Sequence, residues 1–128
     1  NSGSYHLVGS PGCGSVLVEA ALTLAGLPFE LEDIAFEALG PQHPRLGQLN
    51  PLGQVPVLVL PDGQVMTESA AILLYLGEVA PTAGLVPPPG DARRPAFLRW
   101  LVTLVAAIYP TFTYADFPAR FVHAGNPA

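Results

Sequence analysis

The chain has 128 residues, of which 50% are hydrophobic and only 12% are charged, so it can build a buried core and is unlike a disordered protein. Its formal net charge is −5 and it contains no lysine, which argues against nucleic acid or an anionic membrane surface as the main partner. A single cysteine excludes an intrachain disulfide and a multi-cysteine metal site, and the unpaired thiol leads us to expect a cytoplasmic protein. We also expect no membrane association, because no apolar run approaches the roughly 20 residues that span a bilayer.

The first third of the chain has the pattern of a strand, a helix and a second strand. Tyr5–Gly9 is a short apolar run that ends at the turn sequence SPG, which predicts a strand. Apolar residues then recur at helical spacing between Ser15, the predicted N-cap, and Gly26, the predicted C-cap. From Phe29 onward, apolar and acidic residues alternate, as expected for a half-buried strand.

The next segment contains the clearest pattern of the chain. Residues 39–53 are rich in proline and glycine and are predicted to hold at most one weak helical turn. Two apolar runs, residues 57–60 and Val65–Thr67, then flank a Pro-Asp-Gly turn and predict a hairpin. A helix is expected to begin near Ser69. This order of elements predicts an α/β domain over residues 5–80: a mixed four-stranded sheet with helices on both faces.

The remaining residues are predicted to form a linker and a helix. Residues 81–91 include three consecutive prolines, and Asp91 is the expected cap of an apolar helix running from residue 92 to about residue 108. A helix that is apolar almost all round must be buried on several sides. We therefore expect further helices from outside this chain or from another subunit, with residues 92–128 forming part of an all-helical C-terminal domain.

Three motifs occur in order along residues 5–80: SPGCGS after the first strand, NPLGQVPVLVLPDG across the hairpin, and TESAAILLYL at the following helix. With this order and spacing the chain resembles a bacterial cytosolic glutathione S-transferase, close to the beta, theta and zeta groupings. The resemblance continues into RRPAFLRWL. It implies a thioredoxin-like N-terminal domain and a homodimer that acts in detoxification. It also implies glutathione as co-substrate, no metal, and a small electrophile as the second substrate.

The resemblance implies a glutathione site on the hairpin and the helix that follows it. Pro56 opens a strand, where its missing N–H is tolerated; the resemblance implies a cis Val55–Pro56 bond, with Val55 pairing its backbone with the cysteinyl unit. Glu68 and Ser69 precede a helix N-terminus, which suits the α-ammonium and α-carboxylate of the γ-glutamyl end. Gln54 is a further candidate contact. Without the resemblance, these residues read as a trans edge proline, a surface acid, a capping serine and a surface glutamine.

Three side chains of one turn are candidates for the catalytic residue. Cys13 follows a strand, precedes a helix N-terminus that would stabilise a thiolate, and has glycine neighbours that let a ligand approach. Relatives place their catalytic residue in this turn, yet without gaps the beta-type cysteine falls on Gly14 and the theta- or zeta-type serine near Gly12. Cys13, Ser10 and Ser15 all remain candidates, with Cys13 alternatively a buried packing residue and Ser15 alternatively only a cap.

Other residues that could carry chemistry are scattered. The three histidines share no metal-ligand spacing; His43 is expected to be a solvated loop residue, although relatives bring this loop near the glycyl end of glutathione. Aromatic residues after the long helix either line the electrophile site or pack a core; they are Tyr109, Phe112, Tyr114 and Phe117.

The sequence thus favours a glutathione transferase, with two alternatives left open. One is a non-catalytic glutathione-fold protein that binds glutathione or has a regulatory role. The other is a glutathione-dependent thiol reductase that uses Cys13. The fold alone does not decide among these functions.

Overall fold

A computed structural model describes residues 3–116, with residues 111–114 described by their backbone alone. The first half of the chain forms one sheet of four strands: β1 (Tyr5–Gly9), β2 (Phe29–Asp33), β3 (Val57–Val59) and β4 (Val65–Thr67). The strand order is β2-β1-β3-β4. β1 pairs with β2 in parallel and with β3 antiparallel, and β3 pairs antiparallel with β4. The predicted mixed sheet and its hairpin are confirmed.

Within the described residues, five α-helices accompany the sheet: α1 (Ser15–Leu24), α2 (Pro44–Leu49), α3 (Ser69–Val79), α4 (Arg94–Val102) and α5 (Tyr109–Asp116). Two short 3₁₀ turns, Phe36–Ala38 and Pro81–Ala83, lie in the connections. A π-helical segment, Thr103–Ile108, joins α4 to α5. The order of elements up to α3 is the predicted one, and α2 is the weak helix expected in the proline-rich segment.

Each face of the sheet carries its own apolar cluster. Successive side chains of a strand point to opposite faces, so Leu7 and Val8 of β1 enter different clusters and both are fully buried. The first cluster packs α1 and α3 against the sheet, and the second packs α2 against the other face. Burying a side chain of this size contributes about 1.5–3 kcal/mol, which is how residues of such short strands are held in place.

The start of α1 differs from the prediction. Ser15 is the first helical residue rather than the N-cap; Gly14 occupies the cap position without a side-chain hydrogen bond. The hydroxyl of Ser15 instead bonds the backbone of Ser10. The end of α1 agrees with expectation, because Gly26 follows the C-cap residue with φ +67°, a conformation that favours glycine.

The start of α4 also differs from the prediction. Asp91 was expected to cap a helix from residue 92, but α4 begins at Arg94 with Arg93 as its N-cap. The Asp91 carboxylate closes the preceding turn: it accepts from the Arg93 guanidinium at 2.8 and 3.1 Å and from the Arg93 backbone N–H at 2.8 Å. The guanidinium, followed by this N–H, lowers the pKa of Asp91 to about 2.

α4 packs on the first cluster through Leu101, which is 7% exposed. Three apolar side chains of α4 and the π-helical segment remain exposed: Trp100, Leu104 and Ile108 are 56%, 45% and 42% exposed. Trp100 and Leu104 border an apolar cleft of about 440 Å³ beside Leu17 of α1. That further helices cover these side chains therefore stays a prediction. The aromatic residue Phe117 and the third histidine, His123, lie outside the described residues. Within residues 3–116, no helix is both long and apolar enough to cross a bilayer.

Candidate functional site

The sheet register brings the three predicted site segments to one edge. Val57, the first residue of β3, pairs with Val8 near the end of β1 and with Thr67 at the end of β4. Since β3 runs antiparallel to both neighbours, the segment before β3 emerges beside the segments that follow β1 and β4. The Ser10–Ser15 turn, the Val55–Pro56 bond and the Glu68–Ser69 pair therefore meet at the same end of the sheet.

The turn after β1 is closed by Ser15. Its buried Oγ accepts a hydrogen bond from the Ser10 N–H and donates one to the Ser10 carbonyl, both at 3.1 Å. Gly9 leaves the space for this contact, because a Cβ there would overlap the Ser15 side chain. The Ser15 hydroxyl thus already holds two backbone partners. The Ser10 Oγ is also buried, yet it has no hydrogen-bond partner among the described residues.

Cys13 and Gly14 face different surroundings. The half-buried Cys13 thiol is free and packs against the second cluster, as does Val55. A Cβ added at Gly14 would instead meet the ring of Tyr109 at 3.7 Å. Position 13 is therefore directed toward the side of the sheet edge that carries Val55, while position 14 faces the helical part of the chain.

The Val55–Pro56 peptide bond is cis, as predicted, and β3 begins at the next residue. Val55 is half-buried and Pro56 is buried, whereas the Gln54 side chain is exposed. The Val55 backbone therefore lies at this edge of the sheet, next to the exposed Gln54 side chain.

Glu68 and Ser69 form the N-terminus of α3. Glu68 is the N-cap, with φ +71° and ψ +110° and no side-chain cap hydrogen bond. For a residue with a side chain this conformation costs about 1–3 kcal/mol, and such strain is concentrated at functional sites. Glu68 is exposed and Ser69 half-buried, and no acidic residue lies in the first turn of α3. The amides of that turn and its positive potential are thus available to an anion.

Two polar residues of the α2 segment bond backbone groups in a way that the sequence did not predict. His43 is the N-cap of α2, and its Nδ1 accepts a hydrogen bond from the Leu46 N–H at 3.1 Å. The prediction that His43 is a solvated loop residue is therefore wrong. The sequence signal was Pro44, which favours the first helical position. Asn50 is 5% exposed and hydrogen-bonds the segment in front of Val55. The pair Asn50-Pro51 is a turn signal that indicated this bonding in part.

The other histidine within the described residues lies away from this edge. His6 of β1 is 3.6 Å from carboxylates of Glu30 and Glu32 on β2, and Glu32 also accepts both bonds from the Arg45 Nε. Across residues 3–116, no three histidine, cysteine or acidic side chains are grouped as a metal would require. Of the predicted aromatic cluster, only the side chain of Tyr109 is described.

Comparison with known proteins identifies the family. A model of the glutathione S-transferase N-terminal domain matches residues 16–79. The chain belongs to the glutathione S-transferase family. An uncharacterized GST-like protein of Escherichia coli (strain K12), YncG, is 47% identical over 114 residues, which cover 88% of this chain and 55% of that protein. This glutathione S-transferase chain spans about half the length of the curated relatives it matches.

Solved structures of other glutathione S-transferases share the fold. A glutathione transferase from Methylococcus capsulatus is 38% identical with a TM-score of 0.79, over 89% of this chain and 57% of that one. A glutathione transferase homologue from Sulfitobacter, crystallised with bound glutathione, is 30% identical with a TM-score of 0.84, over 95% of this chain and 58% of that one. The thioredoxin-like N-terminal fold of the family is therefore that of this chain.

Proposed function

We propose that this chain is the glutathione-binding part of a glutathione transferase that conjugates glutathione to a small electrophile. The observation that carries the proposal is the common sheet edge. It combines the half-buried Val55 beside the cis bond, a helix N-terminus preceded by Glu68, and a thiol-bearing turn. Glutathione has a group that matches each feature. Its extended peptide matches the Val55 backbone, its α-carboxylate and α-ammonium match the helix N-terminus with Glu68, and its sulfur matches the turn. The Sulfitobacter homologue, which has the same fold, was crystallised with bound glutathione.

The γ-glutamyl end fits the start of α3. Its α-carboxylate would accept hydrogen bonds from the first amides of α3 and from the Ser69 hydroxyl, where the helix dipole stabilises negative charge. Its α-ammonium would pair with the exposed Glu68 carboxylate. Gln54 is long enough to contribute an amide hydrogen bond from the opposite side.

The cysteinyl unit would pair with Val55 in the manner of an added strand. Its sulfur would then lie toward the N-terminus of α1, where backbone N–H groups stabilise a thiolate. Among the three side-chain candidates, Cys13 is favoured because it packs on the same cluster as Val55. Ser10 is the second candidate, since its hydroxyl lacks a partner among the described residues; Ser15 is least suited, because its hydroxyl already bonds Ser10 twice.

In the reaction, the glutathione thiol loses its proton to solvent and the thiolate attacks the electrophilic carbon. A C–S bond forms, and the leaving group departs with the electron pair of its former bond. The chain would contribute by orienting the peptide and stabilising the anion. The ring of Tyr109 beside Gly14 supports the proposal that an apolar electrophile binds on the α4–α5 side.

The same proposal includes the rest of the enzyme. It would be a homodimeric, cytoplasmic detoxification enzyme with an all-helical C-terminal domain over residues 92–128.

Calorimetric titration with glutathione tests the binding site. We expect Glu68→Ala and Ser69→Ala each to weaken binding about ten-fold or more, because a hydrogen bond to a charged group contributes about 1.5–3 kcal/mol. Glu78→Ala is the matched control: it removes an exposed glutamate at the other end of α3 and should leave the affinity unchanged. Unchanged affinity in both site variants would remove this site from consideration.

Turnover assays separate the three functions. Conjugation of an aryl halide supports the transferase, and tight binding with no turnover supports a non-catalytic glutathione-binding protein. Reduction of a glutathione mixed disulfide that is abolished in Cys13→Ser supports the thiol reductase. The half-buried free thiol at the sheet edge is the observation that keeps this last function open.

A further inference from the structure

Asn50 joins the end of α2 to the segment that leads into the cis-proline bond. It is 5% exposed and follows α2 directly. Its backbone N–H donates to the Leu46 carbonyl at 2.7 Å, and its carbonyl accepts from the Gly53 N–H at 2.8 Å. The backbone of Asn50 therefore belongs to both the helix end and the turn that follows.

The side chain of Asn50 makes two more bonds to the same segment. Its Oδ1 accepts from the Leu52 N–H at 3.1 Å, and its Nδ2 donates to the Gln54 carbonyl at 3.0 Å. This geometry requires one acceptor and one donor on a short planar group, and a primary amide supplies both. An apolar side chain supplies neither, and a carboxylate supplies acceptors only.

The bond to the Gln54 carbonyl has a direct consequence for Val55. That carbonyl and the Val55 N–H belong to one planar peptide group, in which they point in opposite directions. Fixing the carbonyl from inside the protein therefore fixes the direction of the Val55 N–H. A hydrogen bond to the carbonyl also polarises the peptide group and strengthens its N–H as a donor.

The surrounding backbone is packed so closely that the segment has few alternative positions. A Cβ on Gly53, whose φ is +65°, would overlap the backbone of Gly40 and Pro41. A Cβ on Gly47 of α2 would overlap the Pro41 carbonyl. Residues 40–54 thus interlock as one unit, and Asn50 is the buried side chain that links this unit to the peptide group of Val55.

We propose that Asn50 is a positioning residue that orients the Val55 N–H toward the cysteinyl unit of glutathione. The inference rests on the proposed glutathione binding, and it adds a residue that acts on the ligand only through Gln54 and Val55. It couples α2 to the binding edge, so that a change in α2 is transmitted to the peptide-binding backbone.

Asn50→Asp tests the proposal through its pH dependence. A carboxylate would repel the Gln54 carbonyl, whereas a protonated carboxyl has one O–H donor and one acceptor and reproduces both bonds of the amide. Burial favours the protonated form, so the titration should lie above the usual value of about 3.9 for aspartate. The ligand is S-methylglutathione, which cannot form a mixed disulfide with Cys13.

At pH 8, we expect Asn50→Asp to bind S-methylglutathione about ten-fold more weakly than the unmodified chain, and at pH 5 to come within about three-fold of it. Asn50→Ala should be about five-fold weaker at both pH values, because it cannot regain a donor. Gln48→Glu is the matched control: it makes the same amide-to-acid change on the exposed side of α2 and should show no pH-dependent loss.

A second measurement does not depend on the ligand. The amide resonance of Val55 in Asn50→Asp should shift with pH, with the same midpoint as the affinity. If the unmodified chain binds no S-methylglutathione, the proposed function fails while this titration still tests the link from Asn50 to Val55. Equal pH profiles for Asn50→Asp and the unmodified chain, or a Val55 amide that does not titrate, would overturn the inference. So would unfolding of both Asn50 variants, because Asn50 would then hold the whole fold rather than this peptide group.

Discussion

The three candidate side chains of the first turn differ in the partners they already have. The Ser15 hydroxyl bonds the Ser10 backbone and so closes the turn. The Ser10 hydroxyl is buried and has no hydrogen-bond partner among residues 3–116. Cys13 is the one that is both free and half-buried. A residue that acts on a bound sulfur must keep its polar atom available to the ligand, which favours Cys13.

We predict that Cys13→Ala lowers kcat for an aryl halide about ten-fold, the loss expected when a hydrogen bond to an anion is removed. The affinity for S-methylglutathione should change little, because the peptide contacts are elsewhere. In the unmodified chain, saturating S-methylglutathione should also slow alkylation of Cys13 by iodoacetamide. Full activity in Cys13→Ala, together with unprotected alkylation, would reduce this cysteine to a packing residue.

Glu68 combines backbone strain with a predicted role in binding. Its φ of +71° disfavours any residue with a Cβ, and the left-handed region costs roughly 1–2 kcal/mol for such residues. We predict that Glu68→Gly is more stable than Glu68→Ala by about 1 kcal/mol, since only glycine relieves the strain and part of the gain is lost to its flexibility when unfolded. Denaturant unfolding measures this difference, while both variants should bind glutathione equally weakly. Equal stabilities would show that the strain is absent in solution.

The family resemblance, rather than a single pattern, predicted Pro56 and Ser69 as site residues. Taken alone, their positions predict only a strand start and a helix start. The structure places both residues at the common edge. Asn50, His43 and the conformation of Glu68 could not be derived in this way. Their roles depend on which backbone groups lie within hydrogen-bond distance after folding.

At the level of elements, periodicity predicted the type of each segment better than its ends. The strands and helices up to α3 follow the predicted order, because alternation and helical spacing extend over many residues. Helix starts were less predictable, because several polar residues compete to satisfy the same free amides. Ser15 bonds Ser10 rather than its own helix, and Asp91 closes the turn before α4.

Two glycines with positive φ allow the contribution of packing to be separated from that of backbone conformation. Gly53 has φ +65° and no room for a Cβ, whereas Gly63 in the hairpin turn has φ +89° and open space around it. We predict that Gly63→Ala costs about 1 kcal/mol, from the backbone alone. Gly53→Ala should cost at least about 2 kcal/mol, because overpacking adds about 1–3 kcal/mol.

Chemical denaturation of the two alanine variants gives the comparison directly. A similar loss of stability in both would mean that residues 40–54 can separate without cost. The interlock between α2 and the segment before Val55 would then be much looser than the contacts of Gly53 indicate.

At the scale of the whole molecule, the chain exposes apolar surface that its described part does not cover. Trp100, Leu104 and Ile108 of the α4–α5 segment are exposed, and the chain spans about half the length of the curated relatives it matches. Composition and periodicity predicted that this helix is too apolar for its surroundings. They could not identify what covers it, because further helices and a second subunit bury the same kind of surface.

We predict that the protein containing this chain is a homodimer in solution. Apolar side chains exposed to nearly half their area are stabilised by burial, at about 25 cal/mol per Å² removed from water. A stable interface needs about 800 Å² from each partner, which is more than a few scattered side chains provide, so the dimer should form only with the helical part complete. Light scattering over a dilution series should give twice the monomer mass, and the Tm should rise with protein concentration, as mass action requires. A monomer at every concentration, with a constant Tm, would contradict the prediction and leave further helices of the same chain as the cover for this surface.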